Sequence, residues 1–124
     1  MPIALIAVGG AAGAVTRYLV DVFVSERVGG AFPFGTLVIN VTGSFALGVL
    51  YALAIERAAL PSEIRGPLMI GFLGAYTTFS TLMLESWRLV EDGAVVLAIA
   101  NVAGSAALGI AAVVLGLAVG RVLA

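Results

Sequence analysis

The side chains able to do chemistry in this sequence are few, and most recur at helical spacing. Thr36, Asn40 and Ser44 fall every four residues, so on a helix they stack along one face. Asn101, Ser105 and Gly109 repeat the pattern, and so do Gly9, Gly13, Arg17 and Asp21. Between them, Tyr76-Thr77-Thr78-Phe79-Ser80-Thr81 sets four Ser/Thr hydroxyls in six positions. The sequence has no His and no Cys, which removes imidazole acid–base catalysis, thiol chemistry and the usual zinc sites. What is left is hydrogen bonding. An Asn amide in an apolar setting needs partners for two donors and an acceptor, so Asn40 and Asn101 are each either packing clamps or donors lining a path. The glycine stripes Gly9/Gly13 and Gly116/Gly120 read as helix–helix glue. Arg17 and Asp21 form an i, i+4 pair that can neutralise itself, and Arg17 can also create a vestibule attractive to anions. Glu85 is either a functional intramembrane carboxylate or an interfacial partner of Arg88.

Composition dictates the elements that hold these groups. Of 124 residues, 62% are hydrophobic and 10% charged, and mean hydropathy is +1.20. Six basic and seven acidic side chains cannot cover a soluble core, so lipid must solvate the surface. The chain is an all-α integral membrane protein, and disorder, nucleic-acid binding and cytosolic catalysis are excluded together. Net charge is −1, so no global field selects a partner. The uncharged runs are 1–16, 28–55, 66–84 and 93–120, and crossing a bilayer takes about 20 apolar residues. They predict four transmembrane helices, about 3–24, 33–55, 67–90 and 94–121, in one domain over 1–124. No sustained alternation supports a barrel. Small residues at 12–14 imitate a signal-peptidase site, but no basic region precedes them, so the first segment is expected to stay.

The third helix is expected to break. Gly71 and Gly74 precede the hydroxyl run, Gly74 offers permissive dihedrals, and adjacent Thr residues are poor helix formers. Irregular backbone at membrane depth survives only inside protein or beside a cavity, which makes 74–78 a candidate site near mid-membrane. The alternative is a continuous helix whose hydroxyls bond carbonyls four residues back.

Orientation is nearly unbiased. Arg57, Arg65 and Arg121 share the side holding both termini; Arg27 and Arg88, with Arg17 if it snorkels, hold the other. Arg and Lys asymmetry sets topology, and a bias of at most one predicts insertion both ways up, hence an antiparallel pair. One orientation prevailing is the other reading of so few charges.

Three stretches carry a resemblance: Gly9-Gly10-Ala11-Ala12-Gly13-Ala14-Val15-Thr16-Arg17-Tyr18, Gly35-Thr36-Leu37-Val38-Ile39-Asn40-Val41-Thr42-Gly43-Ser44-Phe45, and Gly71-Phe72-Leu73-Gly74-Ala75-Tyr76-Thr77-Thr78-Phe79-Ser80-Thr81 followed by Glu85. In this order, over essentially the whole chain, the sequence resembles the CrcB/Fluc family of small fluoride channels. The resemblance implies a passive fluoride channel in the cell (inner) membrane of a prokaryote, not an enzyme, working as an antiparallel dual-topology homodimer with two pores. It implies a pathway drawn from Asn40, Phe79, Ser80, Thr81, Ser105 and Thr36. Arg17 and Glu85 would be vestibule or structural charges. Backbone carbonyls of Gly74 and Thr77 would hold a structural sodium ion on the dimer axis. Two departures stand out. Leu82 occupies the position of the family's usual second Phe, and helix 4 offers only Asn101 and Ser105 where the family has a hydroxyl track. Spacing alone reaches a polar-lined dimeric channel or transporter for a small solute. Two other readings are a proton-coupled exporter using Glu85 and a membrane assembly protein that transports nothing.

Overall fold

The computed structural model describes residues 3–123. Four helical stretches are long and apolar enough to cross a membrane: Ile3–Arg27, Phe34–Glu56, Ser62–Glu91 and Val95–Leu123. The protein is a multi-pass membrane protein. We label them α1 (Ile3–Arg27), α2 (Phe34–Glu56), α3 (62–76), α4 (Phe79–Glu91) and α5 (Val95–Leu123). Within the single chain only 6% to 28% of each span's most apolar window is buried, so lipid or further protein must cover the rest.

The boundaries differ from the expected ones for local reasons. The first helix reaches Arg27 rather than 24, because Arg27 finishes it. Its Nη1 donates to the Phe23 carbonyl at 3.1 Å and its guanidinium lies 3.6 Å from the Phe23 ring centroid, a cation at the negative end of a helix. The chain turns only at Gly30, where φ is +103°. The third span starts at Ser62 rather than 67. Pro67 has no N–H to donate to the turn before it, and Gly66–Leu73 winds with wider i→i+5 turns instead of ending.

Two seams of small residues hold the helices together. A methyl group on Gly13 would strike the Phe72 carbonyl, and one on Gly71 would lie 2.6 Å from the Ile6 carbonyl; α1 and α3 therefore touch backbone to backbone. A methyl on Gly116 would strike the Phe45 carbonyl, and one on Gly120 would lie 2.7 Å from the Val49 carbonyl, which brings α5 equally close to α2. Both glycine stripes are packing contacts. Between the seams, Ile39, Leu73 and Tyr76 form a buried cluster, with Val20, Ala46, Leu50 and Phe72 against it.

Candidate functional site

At the centre of the third span the backbone leaves the helix for two residues. Thr77 has φ −79°, ψ 157° and Thr78 has φ −148°, ψ 121°, extended values that β-branched residues adopt readily. Gly74 is ordinary helix at φ −62°, ψ −35°. The expectation that its conformational freedom makes the break is therefore corrected: the departure belongs to the two threonines. Thr78 then caps α4, its Oγ1 accepting from the Thr81 N–H at 3.3 Å.

Asn40 occupies the gap. Its Nδ2 donates to the Thr78 carbonyl at 2.9 Å, and its Oδ1 accepts from the Thr78 N–H at 2.8 Å. One side chain thus supplies the acceptor that the interrupted helix withholds from the Thr78 N–H, and adds a second donor to the Thr78 carbonyl, which as the N-cap already opens the next helix. Asn40 is a clamp, and its second N–H is spare. The same helix holds the rest of the junction. Thr42 donates to the Val38 carbonyl at 2.7 Å, so its 2.9 Å contact with Tyr76 has the phenol as donor. Gly43 lets the strand-like segment approach, since a methyl there would strike Thr77 Cγ2 and lie 3.2 Å from the Tyr76 ring.

The break redistributes backbone polarity. In a continuous helix the amides of Thr78 and Thr81 would go to the carbonyls of Gly74 and Thr77, but they go to Asn40 and to the Thr78 hydroxyl. With Phe79 and Ser80 also starting a new helix, the four carbonyls from Gly74 to Thr77 lose their usual donors. The first N–H groups of α4, at Phe79 and Ser80, have no carbonyl four residues back to bind and form the positive end of a helix.

These groups surround a cavity of about 420 Å³ lined by Asn40, Gly43 and Ser44 of α2, Gly74, Thr77 and Thr78 of the break, Phe79 and Leu82 of α4, and Val102 and Ser105 of α5, among others. Ser105 is 7% exposed and its hydroxyl has no partner in the chain. Phe79 is 74% exposed at the cavity edge, whereas Leu82 is buried. The fold therefore brings together Asn40, Phe79, Ser105, Gly74 and Thr77 of the residues singled out from sequence. It does not bring Thr36, Ser80 and Thr81 to this cavity: Ser80 is exposed, Thr81 half-buried, and Thr36 buried beside the Glu85 carboxyl.

The charged residues depart from the pairing that spacing implied. Arg17 and Asp21 make no ion pair, and neither do Glu85 and Arg88; among the described residues the one salt bridge is Arg121 Nε to Glu56 Oε1 at 2.8 Å. Asp21 instead lies against Gly35 in the first turn of α2 and accepts from Ser25 Oγ at 3.4 Å. Arg17 Nε and Glu85 Oε1 are buried without partners. Asn101 is a clamp of another kind, fully buried, with Nδ2 donating to Ser86 Oγ at 2.9 Å.

A family model described as "CrcB-like protein, Camphor Resistance (CrcB)" matches residues 4–117. The chain belongs to the CrcB family. It is 47% identical over 121 residues, 97% of its length, to the fluoride-specific ion channel FluC of Trichormus variabilis, covering 88% of that protein. It is 44% identical to the FluC of Magnetococcus marinus, covering 99% of this chain and 100% of the relative. The FluC of a Roseiflexus species is 46% identical, with 99% of each chain covered. Like these relatives, this CrcB chain is an ion channel by family and not an enzyme. Sequence reasoning had not given roles to Thr42, Gly43 and Tyr76. The available signal was Thr78-Phe79-Ser80-Thr81, a threonine capping pair that places a helix start in the middle of a span.

Proposed function

We propose that this protein is a passive, fluoride-selective channel of the cell membrane, its anion passing the helix break between Asn40, Phe79 and Ser105. The observation that carries the reading is the Asn40 clamp. It spends one N–H and its oxygen on Thr78 and leaves one N–H at a cavity that Ser105 also lines. Fluoride is compact, strongly hydrated and accepts hydrogen bonds only, so a path for it must replace water with donors. Here those are an amide, a hydroxyl, the start of α4 and the positive edge of Phe79. No Arg lies against the cavity, which suits conduction, since a full positive charge would hold the ion too long. The relatives' names supply fluoride itself.

The working unit in this reading is an antiparallel homodimer with two pores. Phe79 is exposed at the edge of a cavity that holds the interrupted backbone, with Ser80 exposed beside it, and open polar backbone facing lipid would cost several kcal/mol per group; a second copy closes it. The balanced Arg count allows that copy to be inverted. The break lies at the middle of Ser62–Glu91, so inverted copies bring their breaks together near mid-membrane. The Gly74 and Thr77 carbonyls suit a hard monovalent cation, oxygen ligands without a carboxylate; no cluster of three or more acidic, Cys or His residues that could hold a metal occurs among the described residues. A sodium ion held there would satisfy carbonyls that the break deprives of donors. Ser80, Thr81 and Thr36 would extend the path outside the cavity, with Arg17 and Glu85 as charges near its ends.

The test is fluoride efflux from liposomes carrying the purified protein, with chloride as control. Rapid fluoride release without chloride release, unchanged when the proton gradient is collapsed, is expected. Proton-dependent flux would point to an exporter using Glu85, and no flux of either ion would leave an assembly protein.

A further inference from the structure

Past Asn40 the cavity continues along α2, whose wall there is Gly43, Ser44 and Leu47. From Asn40 to Leu47 is about two turns, or roughly 10 Å, and Ser44 is the one side chain of those three that can donate a hydrogen bond. Thr16, Thr42, Thr77 and Ser86 each return their proton to a carbonyl four residues back. Ser44 does not. Its hydroxyl has no hydrogen bond among the described residues, and the residue is half-buried, whereas Ser105 Oγ is sealed in. A neighbour without a side chain marks its direction. Outside its own helix, a methyl on Gly109 would meet one atom only, Ser44 Oγ at 3.7 Å. The hydroxyl therefore leans from α2 toward α5, over a notch one turn beyond Ser105. Ser44 stands near the middle of Phe34–Glu56 and Gly109 at the middle of Val95–Leu123. At that depth neither headgroups nor bulk water serve a hydroxyl, and an unpaired one is costly. Its partner has to arrive through the cavity.

We propose that Ser44 is a further donor of the anion path, receiving the ion from Asn40 one turn along α2, and that Gly109 keeps its hydroxyl uncovered. The inference rests on the reading of this cavity as the path. Side chains four apart on a helix have Cβ atoms about 5–6 Å apart, so the Ser44 proton is one short step from the spare N–H of Asn40. The hydroxyl turns about its C–O bond, so its proton can follow the ion. Being neutral, it also holds the ion weakly enough to let it leave. A polar or bulky α5 side chain at 109 would claim that proton or cover it. Glycine does neither.

Moving the hydroxyl from one helix to the other tests this. Ser44→Ala should slow fluoride efflux from liposomes roughly tenfold or more, the loss of a hydrogen bond to an ion, with an unchanged melt because no bond within the chain is lost. Adding Gly109→Ser to Ser44→Ala should restore most of the flux, since the new hydroxyl grows from a carbon 3.7 Å from the place of the old one. Gly109→Ala in the same background should restore nothing, because its methyl takes the same room and cannot donate. Ser44→Cys, close in volume but a weaker donor, should also slow efflux and serves if Ser44→Ala does not assemble. Equal flux from the two double variants would overturn the proposal. So would native flux from Ser44→Ala, or from Ser44→Cys in its place, beside a blocked Asn40→Asp; the site reading would then stand without Ser44. Native flux from the Ser44 variant and Asn40→Asp alike is a different failure: it takes the cavity out of the path and overturns both.

Discussion

Replacing Asn40 by Asp keeps the shape of the side chain and one of its two bonds to Thr78, and reverses the rest. The Oδ1 that accepts from the Thr78 N–H at 2.8 Å is preserved. The nitrogen that donates to the Thr78 carbonyl at 2.9 Å becomes a second oxygen facing a carbonyl, and the spare N–H at the cavity becomes part of a negative charge. The carbonyl keeps its helical donor, but losing the amide bond and setting two oxygens against each other costs about 1 kcal/mol or more, which should appear as a lower unfolding temperature. The charge acts on the ion. A carboxylate about 5 Å from a fluoride in the cavity repels it by roughly 3 kcal/mol at an effective dielectric constant of about 20, more than about a hundredfold in occupancy. Fluoride-electrode efflux from liposomes should therefore fall by at least about two orders of magnitude in a protein that still elutes as the native assembly. Asn40→Leu separates the two effects: it loses both bonds and should be the less stable, but it adds no charge. Native flux from a folded, assembled Asn40→Asp protein would refute the placement of Asn40 beside the ion.

Phe79→Ile should reduce flux more than Leu82→Ala at equal expression, since Phe79 presents an exposed aromatic edge and Leu82 is buried; thermal melts should rank them the other way, because truncating a buried Leu leaves a void. Gly43→Ala should abolish flux or assembly, because the new methyl strikes Thr77, while Gly29→Ala, with nothing within 4 Å, should leave efflux unchanged. Exchanging sodium for a large organic cation should lower the unfolding temperature of the purified protein, whereas an identical melt would argue against the Gly74 and Thr77 carbonyls as its ligands. C-terminal reporters should appear on both sides of the membrane in comparable amounts; adding two or three Lys beside Arg57 should drive the chain one way and stop transport, restored by co-expressing a chain with Lys added near Arg27 and Arg88.

Much of this protein is legible along the chain because lipid imposes simple rules. Uncharged runs of bilayer length with Gly and Pro between them leave helices as the only structure that satisfies every backbone group, and ends shifted by a few residues through Arg27 and Pro67 do not alter that. Four-residue glycine spacing foretold the seams, since small residues on one face are what lets two backbones meet. The hydroxyl run and Asn40 could be singled out for the same reason: polar groups in hydrocarbon are costly and need a purpose. Tertiary contact decided how each is used. Spacing left Asn40 between clamp and donor, and only the approach of α2 to the Thr77–Thr78 segment made it a clamp. Spacing paired Arg17 with Asp21 and left Glu85 between a functional carboxylate and a partner of Arg88, whereas in the fold Asp21 goes to the start of α2 and Glu85 lies beside Thr36. A charge on a helix has neighbours three and four residues away, but it also has every group that another helix presents, and those are set by packing. The same holds for Asn101, whose amide donates to Ser86, on a different helix.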